Sequence, residues 1–90
     1  MRIARVNGTV TATVKEPRLA ALKLIVVDIE DGRGNVLTPA VVAVDSLGAG
    51  VGDRVLIVTG SAARVPPALT GIAVDAATVA IIDEIALGDT

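Results

Sequence analysis

The stretch SLGAGVGDRVLIVTGSAAR, residues 46–64, places Gly48, Gly50 and Gly52 at alternate positions, with Asp45 just ahead and Asp53 just behind. Loops rich in glycine can gather backbone N–H groups around a phosphate. The dinucleotide-binding form of that chemistry needs Gly-x-Gly-x-x-Gly between a strand and a helix, with the phosphate at the helix N-terminus. Here the spacing is Gly-x-Gly-x-Gly, and the next residues, RVLIV, read as a strand. The nearest charges are Asp45, Asp53 and Arg54, so little cationic support is at hand. Spacing and context favour a turn in which glycine supplies positive φ before a packed strand begins.

Other residues with chemical capacity are sparse. Asp28, Glu30 and Asp31 flank a turn and read as a solvated hairpin. Asp83 and Glu84 are neighbours on an expected strand, so they point to opposite faces and form no acid–base pair. Asp75, in VDAAT, has a side chain able to cap a short turn. Ser46 and Ser61 have no histidine to activate them, because the chain has no His; it also has no Cys. The usual neutral-pH acid–base group, the thiol nucleophile, the disulfide and the thiolate metal site are therefore all absent. The expectation is a protein without a catalytic centre, metal or cofactor. Arg64 follows the small residues Ser61, Ala62 and Ala63, which permit close backbone approach. It has two readings: a solvated surface arginine, or a hydrogen-bonding anchor between subunits, where arginine is enriched.

The elements that must position these residues are strands. RIARVNGTVTATVK, from Arg2 to Lys15, alternates threonine and aliphatic residues with period two, and Gly8 marks a bulge or bend between two phases. EPRLAA reads as a loop and LKLIVVDI as the second strand. EDGRGN is a hairpin connection with Asp-Gly and Gly-Asn turn signals. VLTPAVVAVD is the third strand, in which Pro39 requires an edge or a bulge. RVLIVTG is the fourth strand. SAARVPPALTG holds about one helical turn, with Ser61 as its cap and Pro66 and Pro67 ending it. ATVAIIDEIAL, from Ala77 to Leu87, is the last strand. The expected fold is all-β: a small, closed or nearly closed five-stranded barrel with one short helical turn, forming a single domain over 1–90.

Composition sharpens the picture. Of the 90 residues, 52% are hydrophobic, and mean hydropathy is +0.71. Leu24 to Val27 and Val55 to Val58 are apolar on both strand faces, yet a small barrel has one interior. The outer face must then be covered too, and the expected cover is neighbouring protein in an oligomer. A contact of about 800 Å² per partner, at roughly 25 cal/mol per Å² of apolar area, supplies substantial association energy. No apolar run is long enough to span a membrane, and the N-terminus lacks a secretory signal's apolar core. A net charge of −2 and the absence of Phe, Trp and Tyr disfavour nucleic acid, whose binders offer cations and stacking rings. The lack of cysteine permits a cytoplasmic location.

The order of motifs resembles a known family. RIARVNGTVTATVKEPRLAALKLIVV, then VAVDSLGAGVGDRVLIVTGSAAR, then VDAATVAIIDEI are similar to the bacterial microcompartment vertex proteins, the EutN/CcmL family. The resemblance implies an OB-like barrel assembled as a homopentamer, non-enzymatic, residing in a cytoplasmic microcompartment shell. Its partners would be hexagonal shell proteins, whose flat sheets cannot close without five-fold points. The resemblance further implies that Gly48, Ala49, Gly50 and Gly52, and Ser61, Ala62, Ala63 and Arg64, lie near subunit contacts or the five-fold axis. A side chain at Gly50 is expected to clash or strain there. Two alternatives remain: a co-chaperonin-like ring-forming lid, and an OB-fold ligand-binding module. The first lacks a long loop with an apolar tip between the first two strands; the second lacks aromatic or basic contacts on one face.

Overall fold

The computed structural model describes residues 1–11, 22–64 and 75–88. Five strands form a closed barrel: β1 (Arg2–Val10), β2 (Lys23–Glu30), β3 (Val36–Asp45), β4 (Arg54–Thr59) and β5 (Ala76–Ile82), in the order β1-β2-β3-β5-β4. A 3-10 turn, Gly60–Arg64, follows β4. β1 pairs antiparallel with both β2 and β4, and β2 with β3. β4 and β5 are antiparallel, whereas β3 and β5 run parallel and meet at one register pair, Val44 with Ala77.

Period-two patterning produces the barrel interior directly. Ala4 and Val6 of β1, Ile25, Val27 and Ile29 of β2, Ala43 of β3 and Val55 and Ile57 of β4 are buried in one cluster with Ala49 and Ala76. Burying a Val or Ile side chain is worth about 1.5–3 kcal/mol; the largest wholly buried side chains are Ile25, Ile57, Val6, Val27, Val55 and Thr78. With no aromatic residue in the chain, the interior is filled by branched aliphatics and alanine.

Two irregularities fall where the sequence places them. The β1–β2 register shifts between Val6 and Gly8, so that Thr9 stands opposite the inward Ile25. In β3, Val41 pairs with Val27 and Thr38 with Ile29, leaving Pro39 and Ala40 against the single residue Asp28. This bulge absorbs the proline's missing N–H. It puts Ala40 at φ 57, and Asp28 Oδ1 accepts the Ala40 N–H at 3.0 Å.

β1 is described from Arg2 to Val10; the expected continuation over 12–15 lies outside the described residues, as do the EPRLAA loop, Pro66 and Pro67. Three expectations are corrected. β5 spans Ala76–Ile82 and does not reach Leu87. Ile82 pairs with Arg54, the first residue of β4, so the ladder has no partner for Asp83 and Glu84, which lie beyond the strand. Finally, part of the outer apolar face is covered by the chain itself. Val44, Ala63 and Ala77 form a second cluster joined by Leu22, Leu24 and Val58, with Ala63 of the 3-10 turn laid across it. Ser61 lies inside that turn rather than capping it, because the turn begins at Gly60, where φ is 66.

Candidate functional site

The most organised part of the surface is the loop after β3. Asp45 ends β3 as a buried residue. Its carboxylate accepts N–H groups from Leu47 (3.2 Å), Gly48 (3.0 Å) and Ala49 (2.8 Å), and the Thr78 hydroxyl at 2.7 Å. The Lys23 ammonium stands 4.0 Å from Asp45 and donates to the Ala49 carbonyl. The Gly50 N–H goes to Asp53 Oδ2 at 2.8 Å, and the Asp53 N–H returns to the Gly50 carbonyl at 3.0 Å. The Gly52 N–H donates to the Val6 carbonyl, the Val6 N–H donates to the Asp53 carbonyl, and Arg5 donates to the Gly52 carbonyl, all at 2.9 Å.

This wiring answers the phosphate question in chemical terms. A phosphate cradle needs outward amides, but those of residues 47, 48, 49, 50 and 52 are consumed by Asp45, Asp53 and Val6. The loop carries its own anion inside. Gly48 and Gly52 sit at φ 87 and 93, where glycine is favoured on conformational grounds. Gly50 does not: its φ is not positive, and a Cβ there would meet nothing nearer than Asp53 Oδ2 at 3.8 Å. Within the single chain, backbone strain on substitution therefore falls on its two glycine neighbours and not on Gly50.

The remaining candidates separate. Ala49 and Ala63 are fully buried within their own chain. Gly48, Gly50, Gly52, Ser61, Ala62 and Arg64 are exposed. Asp75 contributes through its backbone, its carbonyl accepting the Gly60 N–H at 2.7 Å. Among the described residues, no group of three potential ligands is placed to hold a metal ion, and no helix is long and apolar enough to cross a membrane.

The hairpin carboxylates do more than sit in solvent. Asp31 accepts the N–H groups of Arg33 (2.8 Å) and Asn35 (3.0 Å) and the Asn35 side-chain amide (2.9 Å). The Asn35 side chain, then the two backbone donors, hold its carboxyl below the ordinary 3.8. The Ala40 N–H, then the Asn7 side chain, do the same for Asp28. Glu30 is buried: its Oε2 lies 3.4 Å from Arg5 Nε with the Glu30 side chain 7% exposed, while Oε1 has no hydrogen-bond partner. Sequence spacing missed Glu30 because its partner lies on β1.

Large aliphatic side chains stand uncovered on the single chain. Leu47 and Val51 are 46% and 68% exposed, and Val36 and Leu37 are 50% and 56% exposed. A closed five-strand barrel with a self-satisfied loop and bare aliphatic flanks is a module shaped for contact with protein. The chain belongs to the EutN/CcmL family: the family model described as "Ethanolamine utilisation protein EutN/carboxysome" matches residues 1–83. It is 48% identical to the carboxysome shell vertex protein CcmL of Synechococcus elongatus over 85 residues, 94% of this chain and 86% of that protein. The solved structure of CcmL from Nostoc sp. superposes with a TM-score of 0.91 at 47% identity, covering 100% of this chain and 95% of that one. The GrpN pentameric microcompartment shell protein of Rhodospirillum rubrum superposes at 0.87 with 34% identity, covering 99% and 100%.

Proposed function

We propose that this chain assembles as a ring of five that closes the vertices of a polyhedral bacterial microcompartment shell in the cytoplasm, with hexagonal shell proteins as its lateral partners and without catalytic activity. The observation that carries the reading is the near full-length match to shell vertex proteins and to a pentameric shell protein. The physical argument agrees with it. The loop at 46–52 spends its hydrogen bonds internally, so its order serves shape rather than ligand capture. The exposed aliphatics favour burial against protein. In this reading the segments 48–52 and 61–64 lie near subunit contacts or the five-fold axis. Ala49 and Ala63 act there as packing supports, since their own surfaces are already covered. The family match favours neither the co-chaperonin-like lid nor the OB-fold ligand module.

The test is co-expression of hexagonal shell proteins with and without this chain, followed by imaging. Shells lacking it should be elongated or open at their vertices, and labelled protein added afterwards should bind only at those openings. Complete, closed shells formed equally well without any five-fold component would overturn the capping role.

A further inference from the structure

A five-membered ring imposes a requirement that a two-fold dimer does not. Each subunit meets two neighbours through two different patches, and the patches must fit each other head to tail. Among the exposed large aliphatics of the described residues, which also include Met1, Val42, Ile81 and Leu87, two patches stand at opposite ends of β3. One is the loop after β3, where Leu47 and Val51 project from backbone fixed by Asp45, Asp53, Lys23 and Arg5. The other is the start of β3, where five successive residues from Val36 to Ala40 are exposed. Consecutive strand residues point to opposite faces, so exposure of both Val36 and Leu37 means that this segment stands clear on both faces. Its flank away from β2 also has no ladder partner among the described residues, because β3 meets β5 only at Val44.

Charge sharpens the pairing. Residues 36–44 contain no ionisable side chain, and neither do residues 46–52. Between them stands Asp45, whose charge is buried and internally satisfied. Depletion of charge with retention of large apolar groups marks the core of an interface. The loop's prior rigidity means that little ordering cost attends its docking. The ends of β3 are roughly 30 Å apart at about 3.3 Å per residue, far enough for each to face a different neighbour.

We infer that the Leu47–Val51 knob of one copy packs on the Val36–Leu37 arm of the next, so that β3 carries both halves of the ring contact. This rests on the five-fold reading above and specifies its seam. The chain has no native cysteine, which makes the test direct. Leu47→Cys and Leu37→Cys are introduced singly and together, with Val51→Cys and Val36→Cys as a second pair. Each protein is treated with a short bismaleimide, while native mass spectrometry reports the ring. The expected result is a covalent ladder up to five chains from the paired variants and none from the single ones. Pentamers giving no ladder with either pair overturn the seam and leave the ring standing. A ladder or dimer from Leu47→Cys alone also overturns it, since that contact would be loop to loop. A parent protein that is not pentameric overturns both. If the cysteine variants fail to assemble, charge decides: Leu47→Lys and Leu37→Glu should each lower pentamer affinity at least tenfold, and the double variant should recover most of it. Absence of recovery rejects the pairing.

Discussion

Replacing Asp45 by alanine tests the central claim about the loop, that one buried carboxylate organises it. Two of its donors, the Ala49 N–H and the Thr78 hydroxyl, are buried at 2.8 and 2.7 Å. Each would be left without an acceptor, at about 1–3 kcal/mol apiece. The Leu47 and Gly48 amides are only partly buried and can turn to water at a smaller cost. Against this stands relief of the carboxylate's own desolvation. The net expectation is a loss of about 3 kcal/mol, which at roughly 4–8 °C per kcal/mol for a domain of this size lowers Tm by about 12–24 °C. The assay is far-ultraviolet circular dichroism, since the chain has no aromatic residue to report in the near ultraviolet. Protein concentration must be held fixed, because assembly adds to apparent stability. Thr78→Val alone should cost about 1 kcal/mol, and the double variant about 1 kcal/mol less than the sum, because both changes remove the same bond. An Asp45→Ala protein melting within about 3 °C of the parent, or strict additivity, would refute the reasoning.

Further expectations follow from the same geometry. Gly48→Ala and Gly52→Ala, at φ 87 and 93, should each cost about 1–2 kcal/mol; Gly50→Ala should be neutral or stabilising by a few tenths of a kcal/mol, and equal effects at all three in chemical unfolding would contradict the backbone argument. Arg5→Met should destabilise by about 2 kcal/mol by stranding the buried Glu30 carboxylate, and adding Glu30→Met should restore most of that loss; an unrepaired double variant would show that Arg5 acts mainly elsewhere. Asp28 and Asp31 have carboxyls held below 3.8 by hydrogen bonds. Their contribution is therefore complete above that value and is lost as pH falls through the lowered folded-state values. Thermal stability should accordingly drop in acid below about pH 4, and Asp28→Asn with Asp31→Asn should flatten that fall; an unchanged acid limb would dismiss both groups.

How much of this was legible in the sequence depends on the range of the interaction. β2, β3 and β4 lie where alternation and turn residues put them, because those signals are local. Gly8 and Pro39 marked their bulges for the same reason, one lacking a side chain and the other an N–H. Strand ends were less legible. β5 loses its ladder at Ile82 because β4 starts at Arg54, which the stretch AIIDEIAL does not encode. Outer-face cover is not legible because Ala63, a small residue in a short turn, packs with Leu24 and Val58 from a distance in sequence. In the loop, the alternate glycines announced a turn. The residue that governs it, Asp45, reaches Thr78 on another strand, and Glu30 looks solvent-facing in sequence because its ion-pair partner, Arg5, lies on β1. Spacing within a segment carries no information about such pairs.

β3 and β5 share one register pair, Val44 with Ala77, directly beside the Asp45–Thr78 bond. β2–β3 and β4–β5 are pairs of consecutive strands, whereas the β1–β4 ladder and the β3–β5 contact join distant parts of the chain. Loop-closure entropy disfavours such long-range contacts, so a chain that fails to make them is left as an open sheet with raw edges. Exposed strand edges template pairing between chains. The Asp45–Thr78 bond fastens the seam at which those edges are removed. Variants that weaken it should partition into insoluble material before their thermal stability alone would lead one to expect it.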